Sequence, residues 1–170
     1  MSEGSTLDEY MKFLRIPDFV QSGPDIYTDI EVPTGCSARE HLAMEIHAVE
    51  LFWVPASFVN HSWVEMTLQT EKGQQIGGIS NKAVLVHWEV MCRFAILGGG
   101  WQFMGPTKQT FDPPILYAGE SLYMALNSHV TGVANIGNAR IHYTWKLLTE
   151  AEFMEALEQF SHVKRARESK

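Results

Sequence analysis

The sequence predicts an all-β fold, a single jelly roll or β-sandwich of about eight antiparallel strands with an N-terminal arm and a short C-terminal helix. Three observations carry this expectation. Between Val84 and Ile96 every second residue is apolar (Val84, Val86, Trp88, Val90, Cys92, Phe94, Ile96), and only a β-strand places alternate residues on one face. Shorter alternations recur along the chain, bounded by Gly, Pro, Asn and Ser, with little helix between them. The length of 170 residues and an apolar content of 45% suit one core of ordinary size.

The elements follow in order. Leu7, Tyr10, Met11, Phe13 and Leu14 stand at helical spacing ahead of Pro17, Gly23 and Pro24, so residues 1–25 read as a short helix or an arm that can contact a partner. The first strand runs from Ile26 to Val32 and is closed by Pro33 and Gly35. Ser37 to Val54 has two signals: Ser37 and Glu40 make a capping-box pattern, whereas Leu42, Met44, Ile46 and Ala48 alternate as a strand does. Val49, Leu51 and Trp53 continue the alternation one residue out of phase. A strand from Leu42 to Val54 with a β-bulge near Ala48 accounts for both phases. Val64, Met66 and Leu68 mark the next strand, and Glu71 to Lys82, with Gly73, Gly77 and Gly78, a flexible connection.

After the long strand, Leu97 to Pro114 reads as an irregular loop. Gly98-Gly99-Gly100 has no side chains to pack, and Asp112-Pro113-Pro114 interrupts a ladder. Loops of this length are usually functional, and Trp101, Phe103 and Met104 among glycines have the composition of an interface anchor. Short strands are expected from Ile115 to Tyr117, around Leu122 to Leu126, and from His129 to Ala134. A turn at Ile136-Gly137-Asn138 then leads into the alternation Ala139, Ile141, Tyr143, Trp145, Leu147. Thr149 with Glu152 makes a capping box that opens a helix with Phe153, Met154, Leu157 and Phe160 on one stripe, followed by a tail containing Lys164, Arg165, Arg167 and Lys170. The expected organisation is an arm (1–25), a jelly-roll domain (26–148), and a helix with a basic tail (149–170).

Composition bounds the function. Charged residues make up only 19% of the chain, so part of its outside is expected to be covered by a partner. A formal charge of -7 argues against a broad basic face, and any nucleic-acid contact must be local. The basic tail, in which Glu168 is the one acid, is the candidate. The first fifteen residues lack a secretory pattern and no run approaches a membrane span, which predicts a soluble, intracellular chain. Cys36 and Cys92 provide neither a metal spacing nor a disulfide framework, as expected in a reducing compartment.

Catalytic chemistry has little support. His47, His87 and His142 fall on strands with Glu45, Glu50 and Glu89 nearby in sequence, yet no pair has a zinc spacing and no cupin-like cluster is present. A lone His on a mixed strand face is more often a hydrogen-bonded residue. Ser57, Ser62, Ser121 and Ser128 lack a nucleophile elbow, and the three glycines lack the lysine and helix start of a phosphate cradle. No enzyme activity and no cofactor or metal is expected.

The strand Ile26–Val32, the pair Met44–Trp53 and Trp63–Thr70, the long strand Val84–Ile96, the run Asp112-Pro113-Pro114-Ile115-Leu116 and the closing strands Leu122–Asn127 and Arg140–Leu147 together form a recognisable order. That order resembles single jelly-roll coat proteins of small icosahedral viruses. The resemblance implies a structural protein that assembles with itself into a virion shell inside a host cell. Subunit contacts would then involve Phe13, Trp101, Phe103, Met104, Phe153 and Phe160, and genome contacts Lys164, Arg165, Arg167 and Lys170. One departure is the amino terminus, where Glu3, Asp8, Glu9 and Asp18 outnumber Lys12 and Arg15, unlike the basic arms of many such proteins. The alternatives are a carbohydrate-type binding module with Trp101, Phe103 and Tyr117 as a stacking platform, and a cupin-like enzyme.

Overall fold

The alternating segments fold into two antiparallel sheets laid face to face. The computed structural model describes residues 11–54, 63–73, 83–95, 98–104, 108–129 and 131–168, with positions 54, 91–95, 98–104 and 161–168 described as backbone only. The strands are β1 (Lys12–Val20), β2 (Thr28–Pro33), β3 (Leu42–Val54), β4 (Trp63–Gln69), β5 (Val84–Ala95), β6 (Gly98–Met104), β7 (Lys108–Tyr117), β8 (Ser121–His129) and β9 (Ile136–Leu147), followed by helix α1 (Glu150–Glu168). One sheet has the order β1-β9-β3-β7 and the other β2-β8-β4-β5-β6.

The pairing is nested. β1 pairs with β9, β2 with β8, β3 with β7 and β4 with β5, as in one long hairpin whose bend is the connection after β4. Successive pairs go to opposite sheets, and the ladders β3–β9 and β4–β8 join them. This is the wrapped hairpin of a jelly roll. β6 extends the second sheet beyond β5.

Alternation sets the core. Ile16, Met44, Ile46, Val49, Leu51 and Ile141 from the first sheet meet Val64, Met66, Leu68, Trp88, Met124 and Leu126 from the second. Trp53 and Trp88 approach across the layers with ring centroids 6.4 Å apart. The expected bulge is present: pairing of β3 with β9 slips between Ile46 and Ala48, so the inward set changes from Met44 and Ile46 to Val49 and Leu51.

Four expectations are corrected. The first concerns the arm, because Lys12–Val20 is an edge strand paired with β9, so the β domain begins well before Ile26. Helical spacing is overridden there by a ladder partner from the far end of the chain. The second concerns the loop from Leu97 to Pro114, most of which is β6 and β7. β6 and β7 are both edges, which tolerate Gly and Pro, and residues 111–114 lie in a register gap between the pairs Ile46/Ile115 and Ala48/Thr110.

The third is the strand expected from His129 to Ala134. Residues 131–135 instead form an irregular segment in which Thr131 and Asn135 are buried and hydrogen-bonded to Asp25 and Gln21. The fourth is the turn at Ile136-Gly137-Asn138, which is the start of β9. Gly137 faces the other sheet there, and a Cβ at that position would come within 2.9 Å of Met66 Cε and 3.3 Å of the Phe19 ring.

The helix is capped as expected. Thr149 N–H donates to Glu152 Oε2 at 2.9 Å and Glu152 N–H donates to Thr149 Oγ1 at 3.3 Å. Phe153, Ala156 and Leu157 pack on Ala43, Leu116, Ala118 and Leu148 at the β3–β7 corner, whereas Met154 is exposed and leaves the predicted stripe. Among the described residues no helix is long and apolar enough to cross a membrane.

Candidate functional site

The residues left over from the core form two unlike outer faces. On the β1-β9-β3-β7 sheet, register aligns Arg15, Arg140, Glu50 and Lys108 in one row across all four strands. Glu50 is the hub of this row. Its carboxylate lies 3.3 Å from Lys108 Nζ, 3.5 Å from Arg140 and 3.0 Å from His142 Nε2. Burial raises the Glu50 pKa, but Lys108 and His142 outweigh that effect and hold the group below the usual carboxylate range. A second pairing lies farther along, where Glu45 meets Lys146 at 3.5 Å and accepts from Thr144 Oγ1, itself 2.9 Å from His47 Nε2.

Apolar groups flank the row on this face. Phe13, one row away opposite His142, is 59% exposed, and Arg140 lies over its ring at 5.8 Å. Phe52, one row away on the other side opposite Asn138, is 40% exposed. A shallow groove of about 270 Å³ is lined by Arg15, Phe52, Asn138, Ala139 and Arg140. Among the described residues helix α1 covers the β3–β7 corner, and Phe13 and Arg15 on the β1 side of the face are exposed.

The opposite face is acidic. Asp29 and Glu31 on β2, Glu65 on β4 and Glu89 on β5 occupy positions that alternate with core residues, and Glu65 pairs directly with Glu89 across the ladder. His87 relieves that like-charge contact, its Nε2 lying 2.5 Å from Glu65 Oε1. The hydrogen bond to Glu65 raises the His87 pKa against the lowering effect of burial. Thr67, Gln69 and Ala125 on this face are buried, and Gly73 N–H donates to Asp29 at 2.7 Å. This acidic side is therefore more closed than the face that carries the Arg15–Arg140 row.

A cleft of about 400 Å³ lies where α1 meets the edge of the second sheet, with Glu31, Glu120, Ser121, Tyr123, Leu157 and Phe160 among its walls. Ser121 Oγ donates to Glu31, and the buried Tyr117 hydroxyl donates to the Ser121 carbonyl at 2.6 Å. Burial pushes the Tyr117 pKa up, so this phenol stays protonated near neutral pH. Its 3% exposure also removes it from the stacking platform expected of a carbohydrate module.

The remaining sequence candidates fall as follows. Phe153, 2% exposed, packs within the chain, and Phe160 meets Tyr117 edge-on at 5.4 Å. Trp101, Phe103 and Met104 are backbone positions on the edge strand β6, Phe103 opposite Val90 and Trp101 opposite Cys92. Lys164, Arg165 and Arg167 belong to the last turns of α1, while Lys170 lies outside the described residues, as do Ser57 and Ser62.

His47, His87 and His142 are dispersed over both faces, each beside one carboxylate. No group of three His, Cys, Asp or Glu residues among those described is arranged to hold a metal. The cationic and aromatic positions Arg15, Phe52, Lys108 and Arg140 were not singled out from sequence. Their only local signal is an outward place in an alternating strand, and what unites them is long-range register. No protein-family model and no curated protein matches the sequence.

Proposed function

We propose that this chain is a structural protein that assembles with copies of itself into a closed shell of the kind built by single jelly-roll coat proteins. The observation that carries the reading is the nested strand order, which among the described residues leaves β1, β2, β6 and β7 as the outermost strands of the two sheets, with α1 packed beside β7. Such edges need a covering, because unpaired backbone groups invite further pairing. The β1–β2 end carries Val20 and Ile26, both about half exposed, apolar groups that a contact between copies would bury. The low charged fraction of 19% points the same way.

Size-exclusion chromatography followed by negative-stain microscopy tests this reading. Symmetric particles are expected, and changing Val20 and Ile26 together to Lys should release folded subunits from them. A wild-type chain that elutes as a monomer under every salt and protein concentration tried would overturn the proposal.

A further inference from the structure

We infer that the outer face of the β1-β9-β3-β7 sheet is a platform for single-stranded nucleic acid, with Arg15, Arg140 and Lys108 taking phosphates and Phe13 and Phe52 stacking bases. This deepens the shell reading by naming what such a shell would enclose, but it stands on features of the surface itself.

The first feature is a charge arrangement that folding alone disfavours. Arg15 and Arg140 are direct cross-strand partners, and like charges placed opposite one another destabilise a ladder. No acid lies within ion-pair distance of Arg15 among the described residues, and Arg15 is exposed. The Arg140 and Lys108 side chains are each 48% exposed despite their contacts with Glu50. Glu50, already paired with the two cations Lys108 and Arg140, does little to repel an incoming anion. Two further acids of this face are engaged, Asp18 accepting from Asn138 at 2.6 Å and Glu45 pairing with Lys146, while exposed Asp112 lies on β7, at the far edge of the sheet from Arg15.

The second feature is aromatic. Phe13 and Phe52 lie one row to either side of the cations, and same-face residues along a strand are about 7 Å apart. Neither ring belongs to the core, and each leaves a large apolar surface in water. Cations alternating with exposed rings suit a single strand, whose phosphates seek charge and whose unstacked bases seek a flat partner. A duplex hides its bases from such rings, and an acidic peptide would use the cations but not the rings. The acidic face across the sandwich, with Asp29, Glu31, Glu65 and Glu89, would repel the same ligand, so binding is one-sided.

The test is fluorescence anisotropy of the full-length chain with labelled 20-nucleotide oligo-dT and oligo-rU, titrated across a range of salt. Three phosphate contacts predict a slope of log K against log salt of about -2. Arg15→Gln should reduce that slope by about 0.7, whereas Phe13→Leu should weaken binding about fivefold or more at unchanged slope. Both positions are exposed, so thermal melting should stay near wild type and exclude misfolding as the cause. Equal binding of a duplex of the same length, or displacement by polyglutamate as effective as by oligonucleotide, would overturn the assignment.

So would binding that Arg15→Gln and Phe13→Leu leave intact but that removal of residues 164–170 abolishes, since the tail would then be the contact. Sedimentation of the same samples separates the two readings. Particles without oligonucleotide binding would sink the platform alone, and binding without particles would sink the shell alone.

Discussion

At the scale of single residues, the outward side chains are paired more thoroughly than their sequence neighbours suggest. His87 has Glu89 two positions away, yet its short contact is with Glu65 on the adjacent strand, because cross-strand distance and not sequence distance decides. The raised His87 pKa sets a pH dependence. A histidine that gains a carboxylate partner stabilises the fold fully below its unfolded pKa of about 6.5, and that contribution is lost as pH rises through the higher folded value. Urea midpoints should therefore fall across that window in wild type and less so in His87→Gln. A midpoint that rises with pH there would contradict the assignment. Trp88 was legible from alternation alone and is buried against Trp53. Its replacement by Ala should cost about 3–5 kcal/mol in urea unfolding, and a cost under 1 kcal/mol would show that it lies outside the core.

Among elements, those readable from sequence are those whose pattern is set by burial on one face. β3 with its bulge, β4, β5 and the capped helix follow from apolar phase and cap chemistry, which are local. β1, β6 and the part of β7 before Ile115 do not stand out in the sequence because these edge strands carry weaker patterns. Gly98-Gly99-Gly100 has no side-chain phase, Pro113-Pro114 sits where no ladder bond is required, and β1 depends on β9. The Arg15–Arg140 row was invisible for the same reason, since half of it lay in an assumed arm. The cap is open to direct measurement: Thr149→Ala should destabilise the helix by about 1 kcal/mol and lower its hydrogen-exchange protection, while the sheets keep theirs. The Glu152 carboxylate, held below its usual range by the Thr149 N–H, adds a contribution that fades as pH falls through its lowered pKa. Loss of exchange protection throughout the sandwich in Thr149→Ala would mean that α1 is integral to the β core.

On the scale of the whole molecule, the nested hairpin produces a block with one acidic, partly closed face and one open face of cations and rings. A shell built from such blocks has a use for that polarity, since one face can turn toward an anionic cargo while the other meets solvent. The outermost strands and exposed Val20 and Ile26 at the β1–β2 end would then serve the contacts between copies. Sedimentation velocity of the purified wild-type chain tests this most directly. The account predicts a sharp, fast boundary from a closed assembly of many copies, with little between it and the subunit. A single slow boundary of about 19 kDa at every concentration would contradict it.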